Sequence, residues 1–522
     1  MIKPRLVAAT PARCGHLTPI SSKMLNKSAL RRRISELERA KSHETALLDA
    51  MQERLVNLQH ELNASATYPV LSLPHEIISE IFIHCLEASE SHPDWPNSDP
   101  RTRPPWLFAQ ICSTWREIAL ATPELWNRMS LCLDFEGSST NILDTFAARA
   151  RAVPLDLLLW ADLDLERMPL EEQAAGFLPC LQRHASRIAS LQLETGTVAV
   201  DALHAMSFDF ARLEQLRMFT DTVDPRWSWT QEPFACFRHA FALRSLELRG
   251  TSPQSIDLPW TNLTTLRMHG RTTDNCMLAL RLAPNLTEAE LELNWTSEWI
   301  PPPNAFTHPR IRRLKLTEAA DDPLQHGEAR KFGLAHLTLA ALEAFEIDPS
   351  VHMPPQIMHD FLKRSCPPLR NLAFKSQGSQ DSGLGAWSSM EPFTGLGITS
   401  LSIDCPPLRF SELFFNTMRN NADMLPLLES LSVTCDEKHT SSSFGLYSLT
   451  GRVADAIHAR QRLRATVVNG AQCPLRSLKL LSLGLPGMVF DLPANLASLG
   501  RLEALKAAGM EVYVGTATQR IL

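Results

Sequence analysis

The chain has 522 residues, 44% of them hydrophobic, and a formal net charge of −6. This length allows two or three domains with a large core, and the small negative charge gives no general attraction to nucleic acid or to an anionic membrane. The 11 cysteines are scattered, with no C-x-x-C pair and no metal-ligand spacing, which predicts free thiols in a reducing compartment, cytoplasmic and/or nuclear. We expect no membrane span, because no run of about 18 apolar residues occurs.

Residues 1–29 come first, and every charged residue among them is Lys or Arg. The first acidic residue of the chain, Glu36, lies beyond this segment. Such a run predicts a disordered basic tail. A transit peptide or a weak nuclear signal has the same charge pattern, so both are alternatives.

Residues 30–64 follow an unbroken 4-3 spacing, which predicts a heptad helix. All the seam positions except Lys41 and Glu44 are apolar. They are Leu30, Ile34, Leu37, Lys41, Glu44, Leu48, Met51, Leu55, Leu58 and Leu62. The pattern favours a homodimer through residues 30–62, although the charged pair weakens a symmetric seam. The alternative is a single helix packed on the module that follows.

Residues 68–131 contain two amphipathic segments separated by a proline-rich loop. Pro74 suits the first turn of a helix, and apolar residues recur after it at helical spacing, at Ile77, Ile78, Ile81, Phe82 and Cys85. The second segment has its apolar face at Leu107, Ile111, Trp115 and Ile118. So many large apolar residues in so small a unit indicate either a partner-binding module or a helical cap packed on the rest of the chain.

This segment resembles the F-box, in the F-box-like form that is abundant in mushroom-forming fungi and that follows a similar heptad helix. The matching residues are Leu73-Pro74-x-Glu76-Ile77-x-x-x-Ile81-Phe82, Cys112-x-x-Trp115-Arg116-x-x-Ala119 and Thr122-Pro123-x-Leu125-Trp126. The resemblance implies docking on the Skp adaptor of a cullin–RING (SCF-type) ubiquitin ligase. The positions carried over for adaptor binding are Leu73, Pro74, Ile77, Ile81, Phe82, Trp115, Leu125 and Trp126.

Residues 132–522 repeat a short element, L-x-x-L-x-L. Its first apolar position falls at 188, 213, 243, 263, 286, 311, 342, 369, 398, 428, 475 and 502, near the period of roughly 20–29 residues of leucine-rich repeats. The last two leucines alternate as in a half-buried strand, which needs stacked neighbours to bury its face. We expect irregular repeats in a leucine-rich-repeat-like α/β solenoid; a non-solenoid α/β domain is the alternative. The predicted fold class is therefore a mainly α N-terminal part, a heptad helix plus a three-helix F-box, followed by this solenoid.

Tryptophans follow several of the predicted strands. The candidates for binding a target protein are Trp227, Trp229, Trp260, Trp295 and Trp299. Loops of a solenoid gather on one rim, where exposed aromatic rings make strong contacts with a partner. The alternative is that these rings fill gaps in an irregular core.

No nucleotide, zinc-protease or nucleophile motif occurs in the chain, which predicts no enzyme, no cofactor and no catalytic or metal site. With the F-box resemblance, the predicted function is a substrate-recognition subunit of an SCF-type ubiquitin ligase. The helical module would bind the Skp adaptor, and the repeat surface would hold an unidentified target protein. The alternative is a ligase-independent interaction scaffold that uses the repeat surface and the heptad helix.

Overall fold

The fold is known from a computed structural model. It describes residues 27–65, 73–90, 104–132, 138–160, 170–194, 207–220, 233–294, 306–318, 333–348, 355–375, 389–404, 408–435, 445–467, 475–482 and 496–516. The predicted basic tail lies outside these residues, apart from its last three positions, which open the first helix. The chain divides into two compact units, Met1–Ile78 and Ser79–Leu522.

Among the described residues, four helices precede the first strand, and the later helices lie between strands. The helices are α1 (Lys27–Ser65), α2 (His75–Glu90), α3 (Trp106–Ile111), α4 (Ser113–Ala121), α5 (Ser138–Arg149), α6 (Leu170–His184), α7 (Thr273–Leu282), α8 (Pro355–Ser365), α9 (Leu408–Asn420), α10 (Gly445–Val467) and α11 (Leu496–Ala507). None of these helices combines the length and the apolar composition needed to cross a membrane.

The strands are β1 (Arg128–Cys132), β2 (Leu155–Trp160), β3 (Ile188–Glu194), β4 (Gln215–Phe219), β5 (Ser245–Arg249), β6 (Thr265–Thr272), β7 (Glu288–Asn294), β8 (Phe306–Thr307), β9 (Arg313–Glu318), β10 (Leu337–Thr338), β11 (Ala344–Ile347), β12 (Asn371–Lys375), β13 (Ser400–Asp404), β14 (Ser430–Cys435), β15 (Ser477–Ser482) and β16 (Glu511–Thr516). Fourteen of them form one sheet in chain order. The short β8 and β10 pair separately.

The predicted fold class, a mainly α N-terminal part followed by an α/β leucine-rich-repeat-like solenoid, is wrong. The chain is α/β, because one 14-stranded parallel sheet dominates it. This sheet begins at Arg128, inside the segment that the sequence assigned to the helical module, where Arg128 pairs with Asp156. Parallel neighbouring strands need a crossover connection, so helices such as α5 and α6 lie between strands of the sheet. Helices α1 to α4 precede the sheet.

The core lies on one face of the sheet, where two columns of apolar side chains run across the strands in register. The first column is Met129, Leu157, Leu191, Leu216, Leu246, Leu266, Ala289, Leu314, Phe345, Leu372, Leu401, Leu431, Leu478 and Val512. Every member is buried. The second column begins at Leu131 and Leu159 and is buried in the same way. Side chains alternate across a strand, so the residues between these columns point to the opposite face.

Most of the predicted repeat elements are strands, but the last one is not. The element at position 502 lies in helix α11, and the terminal strand is β16 instead. Leu502 and Leu505 are both buried, and their spacing of three residues fits one face of a helix as well as it fits the repeat pattern.

The end of β5 passes very close to the end of β4. Gly250 has φ of 80°, and a Cβ atom at this position would overlap the carbonyl oxygen of Thr220. The Thr220 N–H donates to the carbonyl of Arg249 at 2.9 Å, which fixes the approach. Only glycine fits both the left-handed conformation and the close contact.

We predict that Gly250→Ala lowers the free energy of unfolding by about 3 kcal/mol, because a left-handed conformation and a steric overlap are combined. Gly270→Ala is the matched control, since Gly270 has φ of 62° and nothing within 4 Å of an added Cβ. The control should lose only about 1–2 kcal/mol. Urea unfolding of the two variants measures the difference, and equal losses would contradict the close approach.

Candidate interaction surfaces

The helical module has an aromatic core. The rings of Phe82 and Phe108 stack at 4.2 Å, and the Phe82 ring meets the edge of Trp115 at 4.9 Å. Trp126 is fully buried, and its Nε1–H donates to the carbonyl of Ala119 at 2.7 Å. These aromatic rings therefore support the module from inside.

The same core continues into the sheet. The Trp126 ring lies 5.1 Å from that of Phe146 on α5, and the Arg149 guanidinium lies 4.2 Å from the Trp126 ring centre. Burial lowers the pKa of Arg149, which keeps its charge because the ordinary pKa is far above neutrality. The helical module thus packs on α5, which connects β1 to β2, as a cap would. Other sides of the module remain exposed.

The eight residues carried over for adaptor binding divide by exposure. Phe82, Leu125 and Trp126 are buried, and Trp115 is half-buried. The exposed members are Leu73, Pro74, Ile77 and Ile81. The structure therefore separates possible contacts from internal supports, a division that the motif alone does not make.

Helices α3 and α4 carry three further exposed apolar residues, which the sequence did not single out for adaptor binding. They are Leu107, Ile111 and Leu120. The sequence treated 107–118 as one helical face, but the backbone is extended at Cys112, where α3 ends and α4 begins. The Cys112 sulfur accepts from the Trp115 N–H at 3.4 Å and caps α4. A capping side chain just before an apolar-periodic segment is the signal that could have revealed the break.

The open face of the sheet carries a row of charged residues at one register position. From β4 to β11 the row reads Arg217, Glu247, Arg267, Glu290, Lys315 and Glu346. Arg267 Nε lies 3.3 Å from Glu290, and Lys315 Nζ lies 2.5 Å from the same carboxylate. Each charge in this charged row therefore has an opposite charge on at least one neighbouring strand.

A shallow groove of about 330 Å³ opens beside the charged row, across β6, β7, β9, β11, β12 and β13. The row continues past Glu346 with Ala373 and then Ser402. These small side chains leave space next to Lys315 and Glu346, which is why the groove forms there. Its walls offer both carboxylates and amines to a bound segment.

His269 forms a compact cluster at the edge of the charged row. Its Nε2 lies 3.3 Å from Glu247 and its Nδ1 lies 3.1 Å from Glu292. Hydrogen bonds to the Glu247 and Glu292 carboxylates raise the pKa of His269 to about 9. The pKa values of both glutamates are lowered, mainly by their hydrogen bonds to this imidazole. The ring is therefore a cation at neutral pH.

Among the tryptophans proposed for target binding, Trp260 is 8% exposed and lies in a short 3-10 turn, Trp260–Asn262. Its ring is part of the core. Trp227, Trp229, Trp295 and Trp299 lie outside the described residues.

One polar cluster between α5 and α6 has the composition of a metal site. The Cys180 thiol donates to Asp144 Oδ1 at 3.3 Å, and His184 Nε2 lies 2.7 Å from the same oxygen. Within the described residues, this is the group whose histidine, cysteine and carboxylate atoms could share one ion, all lying within 4.8 Å of one another. Burial and the neighbouring Asp144 carboxylate raise the pKa of Cys180 to about 11.

No family model matches the chain, and no curated protein does. Among solved structures, the chain is similar to the crystal structure of a leucine-rich repeat-containing protein from Legionella pneumophila. The two are 12% identical with a TM-score of 0.33, over 72% of this chain and 98% of that one. A likeness this weak does not establish a shared fold, so the repeat architecture rests on the strand order and register.

We predict that His269 contributes stability that depends on pH. Its pKa rises on folding, so the contribution is full below the ordinary pKa of 6.5 and is lost as the pH rises through about 9. The difference in unfolding free energy between the wild-type chain and His269→Gln should therefore be larger at pH 6 than above pH 9. His239→Gln is the control, because His239 is exposed. If the difference for His269→Gln stayed constant with pH, it would contradict the ion pairs of His269 with Glu247 and Glu292.

Proposed function

We propose that the chain is a substrate-recruiting subunit of an SCF-type ubiquitin ligase. The F-box-like helices bind a Skp-type adaptor, and the open face of the sheet holds a target protein. The observation that carries this proposal is the division of the motif into a buried aromatic core and exposed aliphatic residues. If the motif served only to stabilise the fold, we would expect Ile77 and Ile81 to be buried, but both side chains are exposed to solvent.

The exposed aliphatic residues are suited to a protein partner. On α2, Ile77 and Ile81 are four residues apart, one helical turn, and are 48% and 45% exposed. On α3, Leu107 and Ile111 have the same spacing and are 41% and 53% exposed. Covering large aliphatic side chains removes apolar surface from water, which gives about 25 cal/mol for each Å² buried.

The open face of the sheet offers a separate place for the target. The helical module leads directly into β1, at one edge of the sheet, whereas the groove starts at β6. Five strand spacings separate these positions, about 24 Å along the sheet. Adaptor and target can therefore be held at the same time. In this proposal the chain contributes proximity, and the bond chemistry belongs to other ligase subunits.

We expect Ile81→Glu to weaken adaptor binding about tenfold or more, because a charge would replace an aliphatic contact worth at least about 1.4 kcal/mol. The full chain and a purified Skp-type adaptor would be compared by titration calorimetry, with circular dichroism confirming that each variant is folded. Leu427→Glu is the matched control, since Leu427 is 54% exposed but lies in the repeat region. A folded wild-type chain without adaptor affinity, or unchanged binding by Ile81→Glu, contradicts the proposal.

A second function, a ligase-independent scaffold, is favoured by α1. This helix has 39 residues, and the apolar seam positions whose side chains are described are 52–66% exposed. They are Ile34, Leu37, Leu48, Met51, Leu55 and Leu58. A second copy of α1 would bury this stripe in a two-stranded coiled coil.

Sedimentation equilibrium tests self-association through α1. The scaffold proposal predicts a dimer that Leu55→Asp converts to a monomer, because a seam position would carry a charge in an apolar layer. Glu53→Ala, on the outer face of the same helix, should leave the dimer intact. A monomer at all concentrations, or a dimer that survives Leu55→Asp, would argue against the coiled coil.

A further inference from the structure

We propose that Asp144, Cys180 and His184 form a zinc-binding site that joins α5 to α6. This site is independent of adaptor and target binding. It lies in the first crossovers of the sheet, since α5 follows β1 and α6 follows β2.

The geometry brings three ligating atoms to within 4.8 Å of one another. Cys180 and His184 are four residues apart on α6, so both side chains project from one face of that helix towards α5. Asp144 Oδ1 lies 3.3 Å from the Cys180 sulfur and 2.7 Å from His184 Nε2. In a tetrahedral zinc site, neighbouring ligating atoms are about 3.4–3.6 Å apart. An ion can therefore enter after side-chain shifts of roughly 1 Å.

The donor set selects the type of ion. A thiolate and an imidazole are ligands that zinc prefers, whereas magnesium and calcium require oxygen ligands almost exclusively. One cysteine, one histidine and one aspartate supply three of the four tetrahedral positions. A water molecule would supply the fourth ligand, reaching the ion from the side on which Asp144 is partly exposed.

The surroundings support the site in the way that known metal sites are supported. Arg183 donates to Asp144 Oδ2 at 3.1 Å, which orients the carboxylate and leaves Oδ1 for the thiol and the imidazole. Cys180 is fully buried, whereas 19% of the His184 side chain and 40% of the Asp144 side chain are exposed. The ion therefore has an entry path from the exposed side and a protected sulfur ligand at the bottom.

Zinc binding replaces a proton. In the metal-free chain the Cys180 S–H proton lies between sulfur and Asp144 Oδ1. On binding, the sulfur–hydrogen bond breaks, the proton goes to solvent, and a sulfur–zinc bond forms without a change in oxidation state. The competing explanation is a purely structural hydrogen-bond network, in which the three groups satisfy one another and take up no metal.

Cobalt(II) distinguishes the two explanations, because it occupies zinc sites and absorbs light when it is bound. We expect the full chain, purified in the presence of a chelator and then freed of it, to bind one equivalent of Co²⁺. Binding should give a thiolate-to-cobalt charge-transfer band in the near ultraviolet and tetrahedral bands in the visible range. One equivalent of Zn²⁺ should bleach both.

Variants assign the signal to this site. Cys180→Ala should abolish the charge-transfer band, and the matched control Cys236→Ala, which removes another buried thiol, should retain it. His184→Gln, at a more exposed position, should weaken Co²⁺ binding about tenfold or more and serves if Cys180→Ala does not fold. No band in the wild-type chain, an unchanged band in folded Cys180→Ala, or unchanged affinity in His184→Gln would overturn the proposal.

Discussion

The structure depends on one constraint: each strand of the parallel sheet buries its apolar residues only against the strands beside it. A column such as Leu246, Leu266 and Ala289 is continuous because the strands pair in register and in chain order. Fully burying a leucine side chain stabilises the fold by about 1.5–3 kcal/mol, so each repeat supports its neighbours. The crossover helices and the close turn at Gly250 are consequences of keeping that register.

The chemistry of the open face follows from the same register. Because side chains alternate along a strand, one charged residue per strand is enough to build a row across the sheet. The side chains of the charged row, from Arg217 to Glu346, are 16–43% exposed, and ion pairs near a surface contribute only about 0–1 kcal/mol each. The alternating signs therefore contribute little to stability, and the small residues after Glu346 leave space beside that side chain.

The repeat strands could be predicted from sequence because their apolar periodicity is local. The charged row could not, because its members are separated by 20 or more residues and come together only through strand pairing. The residues proposed for adaptor binding lie between these cases. The motif identifies Ile81 and Phe82 together, but neighbouring apolar residues on a helix face different directions, and only packing shows which one is buried. Two predictions were wrong for the same reason: a strand at Leu502, and one continuous helical face through Cys112. Leucine spacing and apolar faces do not specify where a helix begins or ends.

We propose that the helical module and the open face of the sheet bind two different partners, and hydrogen–deuterium exchange of the full chain with and without a Skp-type adaptor tests this proposal. Adaptor binding at the exposed aliphatic residues should slow amide exchange over α2, α3 and α4 and leave β6 to β13 unchanged, because the groove is proposed to bind the target instead. Protection from amide exchange that is confined to the open face of the sheet would contradict this proposal. An absence of any protection at saturating adaptor would contradict it equally.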